Sequence, residues 1–228
     1  MRENSFEEGR VLLIDKPYEW TSFDVVRKIR YLTKTKKVGH AGTLDPLATG
    51  LLIVCTGKFT KKINDYMAQE KEYTGTITLG AVTPTYDLES EPQDLKPYTH
   101  LTSDDLEKAT LSFTGAVLQI PPIHSAIKKD GKRAYDLARR GEDVKLEPRP
   151  VTISEFTITK IEMPLVYFKV VCGTGTYIRS LANDYGAALG CGGHLSSLCR
   201  TRIGSFLLTE AITVEQLEAE VALVSDRL

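Results

Sequence analysis

The chain lacks most of the features by which enzymes and membrane proteins are recognised. Its 228 residues include only four cysteines, Cys55, Cys172, Cys191 and Cys199, and no two of them form Cys-x-x-Cys. That scatter argues against a disulfide framework and suits reduced thiols in a cytoplasmic protein. Cys191, His194 and Cys199 fall close together, but no fourth ligand stands at zinc spacing, so no metal and no cofactor are expected. No apolar run approaches the roughly 20 residues that cross a bilayer, and no signal peptide is seen. Gly-x-Ser-x-Gly, the P-loop and His-Glu-x-x-His are missing. Gly173-x-Gly175 lacks the third glycine of a dinucleotide loop, and Tyr177, Ile178 and Arg179 fill the turn where a pyrophosphate needs bare backbone. Excess charge is missing too, since the formal net charge is −1. Neither repeats nor low-complexity tracts occur.

What is present is an uneven distribution of charge. Between Val25 and Asn64 stand Arg27, Lys28, Arg30, Lys34, Lys36, Lys37, Lys58, Lys61 and Lys62, with Asp45 the one acid among them. A second basic cluster comprises Lys128, Lys129, Lys132, Arg133, Arg139 and Arg140, whereas 87–107 is acidic. A protein of near-zero total charge can still turn one cationic face to RNA. Asp45 sits in Gly39-His40-Ala41-Gly42-Thr43-Leu44-Asp45-Pro46-Leu47-Ala48-Thr49-Gly50, a tight loop with glycine at both ends. A lone carboxylate within a cationic surface suggests an acid kept for chemistry, with the bases gathering a polyanion around it. The plainer reading is a turn aspartate capping its own backbone.

Periodicity and punctuation predict a strand at Val11–Ile14 and a helix capped by Thr21 or Ser22. A buried strand follows at Leu51–Val54, then a basic helix near 60–67 and a strand at Tyr73–Leu79. Residues 83–100, rich in proline and acid, read as an extended surface loop or insertion. Further on the pattern gives a helix at 103–112, a strand at 117–120, a hairpin-like turn at 128–132 and a helix at about 134–140. Strands at 151–161 and 166–172, a helix at 177–189, a last strand near 203–207 and a helix at 214–222 complete it. Helices come between strands without strict βαβ alternation. That implies an α+β fold with a mixed, largely antiparallel central sheet flanked by helices. The expected organisation is a flexible N-terminus over 1–10, a catalytic domain over 11–210 and a helical tail over 211–228.

The twelve-residue loop, continued by Leu51-Leu52, resembles the catalytic motif of the TruB family of tRNA pseudouridine synthases. Other segments agree in order: Asp15-Lys16-Pro17 with Thr21-Ser22, Lys71-Glu72-Tyr73, Gln119-Ile120-Pro121-Pro122 with Ser125-Ala126-Ile127-Lys128, Gly175-Thr176-Tyr177-Ile178-Arg179-Ser180, and Gly193-His194-Leu195 through Leu198. The resemblance implies a pseudouridine synthase fold and isomerisation of the T-loop uridine, position 55 in tRNA numbering, on a nucleotide everted from the T-arm. It implies Asp45 as nucleophile, Arg179 as its ionic partner, Tyr73 stacked on the uracil, and Tyr177 and Leu198 lining the base pocket. It places His40 near the everted nucleotide and makes Lys16 a brace. Arg27, Lys28, Arg30, Lys34, Lys128, Lys132 and Arg133 are the expected RNA-docking residues. The family's small C-terminal RNA-binding (PUA) module has no counterpart among these motifs, so a monomer with no obligatory protein partner is expected. Two other classes of function compete: a tRNA-folding factor with secondary isomerase activity, and a metal-dependent nuclease. The nuclease needs clustered carboxylates that Asp45 lacks.

Overall fold

The computed structural model describes residues 5–125, 128–129, 132–133 and 146–225. Along the chain run α1 (Ser5–Glu8), β1 (Val11–Lys16), α2 (Ser22–Thr33), β2 (Val38–His40) and β3 (Ala48–Thr56). A 3-10 turn over Gly57–Lys62 leads into α3 (Ile63–Met67) and β4 (Lys71–Leu79). After a long loop come α4 (Ser103–Leu111), β5 (Gly115–Gln119), β6 (Lys128–Lys129) and β7 (Lys132–Arg133). Then follow β8 (Arg149–Glu162), β9 (Leu165–Cys172), α5 (Ile178–Ala188), β10 (Gly193–Ile203), β11 (Phe206–Leu207) and α6 (Val214–Ser225). These residues divide into two compact units, Met1–Tyr73 with Leu198–Leu228, and Thr74–Ser197. Among the described residues no helix is long and apolar enough to cross a membrane.

In the first unit β3 pairs antiparallel with β1, Val11 opposite Cys55 and Lys16 opposite Gly50. β2 adds antiparallel to β3, and the end of β10 lies parallel to it, Leu198 opposite Ala48 and Arg200 opposite Gly50. The unbroken apolar run in β3 follows from burial of both its faces. Leu52 and Val54 join Leu12, Ile14, Val25, Val26, Ile29, Val214 and Leu217 in one cluster, while Leu51, Ile53 and Cys55 join Ala41 and Ile203 in another. α2 starts where the sequence says it should: Thr21 accepts from the Asp24 amide, and the Asp24 carboxylate accepts from the Thr21 amide. This reciprocal pair satisfies two donors that a helix start leaves open. Residues 1–10, expected to be flexible, include a turn of helix whose Phe6 packs against the first cluster, with the Arg10 guanidinium 4.8 Å over its ring.

In the second unit the strand order is β4–β9–β8–β5, with β8 antiparallel to both β9 and β5. Aromatic packing fixes the helices to this sheet. Phe156 meets Phe168 and Tyr185 edge to face, at 6.1 and 5.3 Å between centroids, and the Tyr185 hydroxyl donates to Leu106 O of α4 at 2.8 Å. β6 and β7 pair antiparallel, Lys128 opposite Arg133 and Lys129 opposite Lys132, and the turn expected between them lies outside the described residues. The helix expected at 134–140 lies outside the described residues.

The α+β expectation, with a mixed and largely antiparallel sheet, is met. Two expectations are corrected. The strand placed near 203–207 is two strands and a turn: Ile203 ends β10, which begins at Gly193, and Phe206–Leu207 form β11, antiparallel to it; Ser196, Ser197, Cys199, Arg200 and Arg202 gave β10 no β-branched signature. The loop at 83–100 is not wholly at the surface, because Thr83, Thr85 and Asp87 are buried.

Candidate active site

Asp45 lies between β2 and β3, and its loop is fastened from several directions within the first unit. The Ser22 hydroxyl, at the start of α2, accepts from Leu44 N at 2.9 Å and donates to Leu44 O at 3.2 Å. Glu19 N donates to Pro46 O at 2.9 Å, and Ala48 N to the carbonyl of Asp45 itself at 3.1 Å. Lys16, at the end of β1, is fully buried and donates from Nζ to the carbonyls of Pro17, Trp20 and Pro46. Arg200 of β10 is buried to the same degree, donating to Leu51 O at 2.8 Å and Gly42 O at 3.1 Å. Each contact satisfies a carbonyl or amide that would otherwise be costly to bury. The result is a half-buried carboxylate on a loop whose backbone is held at Gly42, Leu44, Asp45 and Pro46.

Glycine makes this approach possible at one point. Gly50 has φ +98°, and a Cβ there would stand 2.5 Å from Arg200 O and 2.8 Å from Arg200 N. Only glycine allows β10 to press against β3 closely enough for Arg200 to pass under the loop.

The electrostatics follow from burial. Desolvation lowers the Lys16 amine to about 8, opposed by the nearby Asp45 carboxylate and reinforced by Arg200. His40 is pushed below the usual imidazole range, again by burial first and then by Arg200. Its Nδ1 is buried with no hydrogen-bond partner among the described residues. At neutral pH His40 is therefore an uncharged ring, and Lys16 and Arg200 are the fixed cations of this unit's site. Tyr73 of β4 and Leu198 of β10 belong to the same unit and are both buried.

The second unit carries Tyr177 and Arg179 at the start of α5. Gln119 clamps Tyr177 by its backbone, donating to Tyr177 O at 3.0 Å and accepting from Tyr177 N at 2.8 Å. The next turn is tied in the same way, Ser180 Oγ donating to Ile120 O at 2.8 Å. Arg179 is buried, with Nε 3.7 Å from the Asp87 carboxylate and further bonds to Thr85 O and His124 O. Three residues that matter here were not singled out in the sequence. Asp87 fell in an acidic stretch read as a surface loop, and Arg200 in a stretch to which no element or role was assigned. Gln119 stood inside a motif whose meaning is its pairing with Tyr177, a contact 58 residues distant.

Of the expected docking residues, Arg27 pairs with Asp24 at 2.7 Å and Lys34 stands 4.2 Å over the Tyr31 ring, both on the exposed side of α2. Arg30, also exposed, donates to Val38 O at 3.3 Å. Lys28, partly exposed, pairs with Glu218 of α6 at 2.8 Å. Lys128, Lys132 and Arg133 lie in the β6–β7 hairpin. Cys191 and His194, weighed as metal ligands, are buried against backbone carbonyls, Gly192 O and Ala81 O.

Residues 30–178 match the family model described as TruB family pseudouridylate synthase (N terminal domain), and 179–227 match tRNA pseudouridylate synthase B C-terminal domain. The chain is 51% identical over 225 residues to tRNA pseudouridine synthase B of Flavobacterium johnsoniae, covering 96% of this chain and 98% of that protein. It is 47% identical to the protein of the same name from Chlorobaculum tepidum, covering 94% and 92%. A solved Cbf5–Nop10–Gar1 complex superposes with a TM-score of 0.73 at 30% identity, and an H/ACA RNP bound to a substrate RNA containing 2′-deoxyuridine does so with 0.73 at 28%. The chain covers 96% and 98% of itself in these matches but only 56% of each solved chain. With both family models spanning it from residue 30 to 227, and half its residues shared over nearly full length, the chain belongs to the TruB family of pseudouridylate synthases.

Proposed function

We propose that the chain converts the T-loop uridine at position 55 of tRNA to pseudouridine, with Asp45 as nucleophile on an everted nucleotide. The observation that carries this is the fastening of the Asp45 loop: Ser22, Lys16 and Arg200, from three separate elements, hold the backbone that carries this half-buried carboxylate. Isomerisation breaks the N1–C1′ bond, turns the uracil and joins C5 to C1′, with no redox change. A carboxylate that adds to the ribose carbon or to the ring, and is later released, suits that sequence. Fixing it beforehand removes the cost of aligning it at each turnover. A paired base cannot reach it, so the uridine must leave its stack.

The other roles follow the family resemblance. Tyr73 stacks on the uracil and relays a proton, Tyr177 and Leu198 line the base pocket, and Arg179 balances the carboxylate. His40, uncharged, fills space beside the everted nucleotide without competing for its phosphates. Lys16 braces the loop. Arg27, Lys28, Arg30 and Lys34, with Lys128, Lys132 and Arg133, meet the T-arm phosphates. The enzyme works in the cytoplasm as a monomer.

The test is incubation of an unmodified tRNA transcript with wild type and Asp45→Asn, followed by carbodiimide primer-extension mapping. Wild type is expected to place one pseudouridine in the T-loop. The variant should lose at least about 10³ in rate while tRNA binding stays within a few fold. Near-normal turnover by Asp45→Asn, or modification elsewhere in the tRNA, would overturn the assignment.

A further inference from the structure

Helix α2 buries Val25, Val26 and Ile29, which leaves Phe23, Arg27, Arg30, Tyr31 and Lys34 on the exposed side. Phe23, Arg27 and Tyr31 are each four residues apart, so they form one line along the helix, continued by Lys34. The two rings are more than half exposed, Phe23 at 58% and Tyr31 at 66%, and Tyr18 in the preceding loop is 54% exposed. A helix that only covers a core has no use for three rings in water, and clustered exposed apolar surface marks a place where something binds.

Beside this line lies a depression of about 550 Å³, walled by Glu19, Trp20, Asp24, Arg27, Lys28 and Tyr31. Trp20 also packs against the apolar cluster beneath α2, which keeps its indole in place. Of the charged walls, Asp24 is engaged in the helix cap and Lys28 in its pair with Glu218. Arg27 is 70% exposed and its bond to Asp24 is a surface pair, readily exchanged for a phosphate. The walls carry two acids, Glu19 and Asp24, and two bases, Arg27 and Lys28, and the exposed Arg30 and Lys34 beside them tilt this face to positive charge, which suits a polyanion.

Resting on the proposed action on tRNA, we propose that this face of α2 binds unpaired nucleotides of the RNA. Bases stack on Phe23, Tyr31 and Trp20, while Arg27 and Lys34 meet the phosphates on either side. Interleaved rings and cations are how single strands are held without sequence preference. A purely phosphate-reading helix needs only the cations. The rings are what single out unpaired bases.

Trp20 is the only tryptophan in the chain, so its emission reports directly on the depression. The experiment titrates the full chain, at low salt, with a single-stranded hexamer of uridines and with an unmodified tRNA transcript. Saturable quenching by both is expected. In a Phe23→Ser, Tyr31→Ser double variant, whose changes are at the surface, the hexamer should no longer quench. Affinity for the tRNA should fall about tenfold or more, as loss of stacking on two rings implies. That loss should appear in KM rather than kcat. An unchanged urea midpoint shows that the variant is folded. The proposal is overturned if the hexamer leaves wild-type emission unmoved, if quenching persists in the double variant, or if tRNA affinity stays within twofold. A transcript that gains no pseudouridine instead counts against the proposed function, and the fluorescence titration stands apart from it.

Discussion

Arg200 serves two ends with one side chain. It donates to two buried carbonyls under the Asp45 loop, and its charge depresses both His40 and Lys16. Arg200→Met strands Leu51 O and Gly42 O, at about 1–3 kcal/mol for each unsatisfied group, and removes the charge. Urea denaturation should show the lost stability, and proton NMR of the His40 ring should show its pKa rising relative to wild type. A stability loss with an unmoved His40 would mean that burial alone sets that pKa. Lys16 gives a prediction with a defined sign. Its folded pKa of about 8 lies below the ordinary 10.5, so between these values the unfolded chain holds the proton more tightly than the folded one. Stability should therefore rise with pH across this window, by up to about 1.4 kcal/mol per unit, and then level off. Lys16→Met should lack that rise, so wild type gains on the variant between pH 8 and 10.5. Lys16, His40 and Asp45 were legible because they stand in a pattern of rare residues. Arg200 and Asp87 were not, because a charged residue carries no mark of burial until its partners are known.

Strand β3 was readable because its apolar run satisfies two buried faces, and α2 because Thr21 and Asp24 cap it reciprocally. β10 was not, since its register is set by contact with β3 rather than by its own composition. Gly50 is where that contact is tightest. Gly50→Ala adds a Cβ against the Arg200 backbone at a φ unsuited to any side chain, and should cost about 3 kcal/mol. Turnover should fall with it, as β10 is forced away from β3 and Arg200 withdraws from the loop. Calorimetry and single-turnover kinetics on one preparation check both. Thr21→Ala should be milder, about 1 kcal/mol from loss of the cap. A larger loss of activity than of stability would show that the start of α2 also positions Leu44 through Ser22.

For the whole molecule, the separation of charge matters more than its total. tRNA binding should fall steeply with salt, and each phosphate contact removed should lessen the log–log slope by roughly 0.7–0.9. Charge reversal at Lys132 and Arg133 should therefore lower both affinity and slope in filter-binding titrations. An unchanged slope would place the phosphates elsewhere. The fold class was legible because strand patterns and turns are local. The burial of Asp87 was not, because it rests on Arg179, far away in sequence. The fastened loop has a consequence of its own. A backbone bonded at Gly42, Leu44, Asp45 and Pro46 has no slack with which to follow a misplaced target. Under the proposed function the work of conforming falls on the nucleic acid, and RNAs are sorted by how willingly they bend. T-loops stiffened around the target uridine should be modified more slowly in proportion to the added stiffness, even where every base the protein touches is kept.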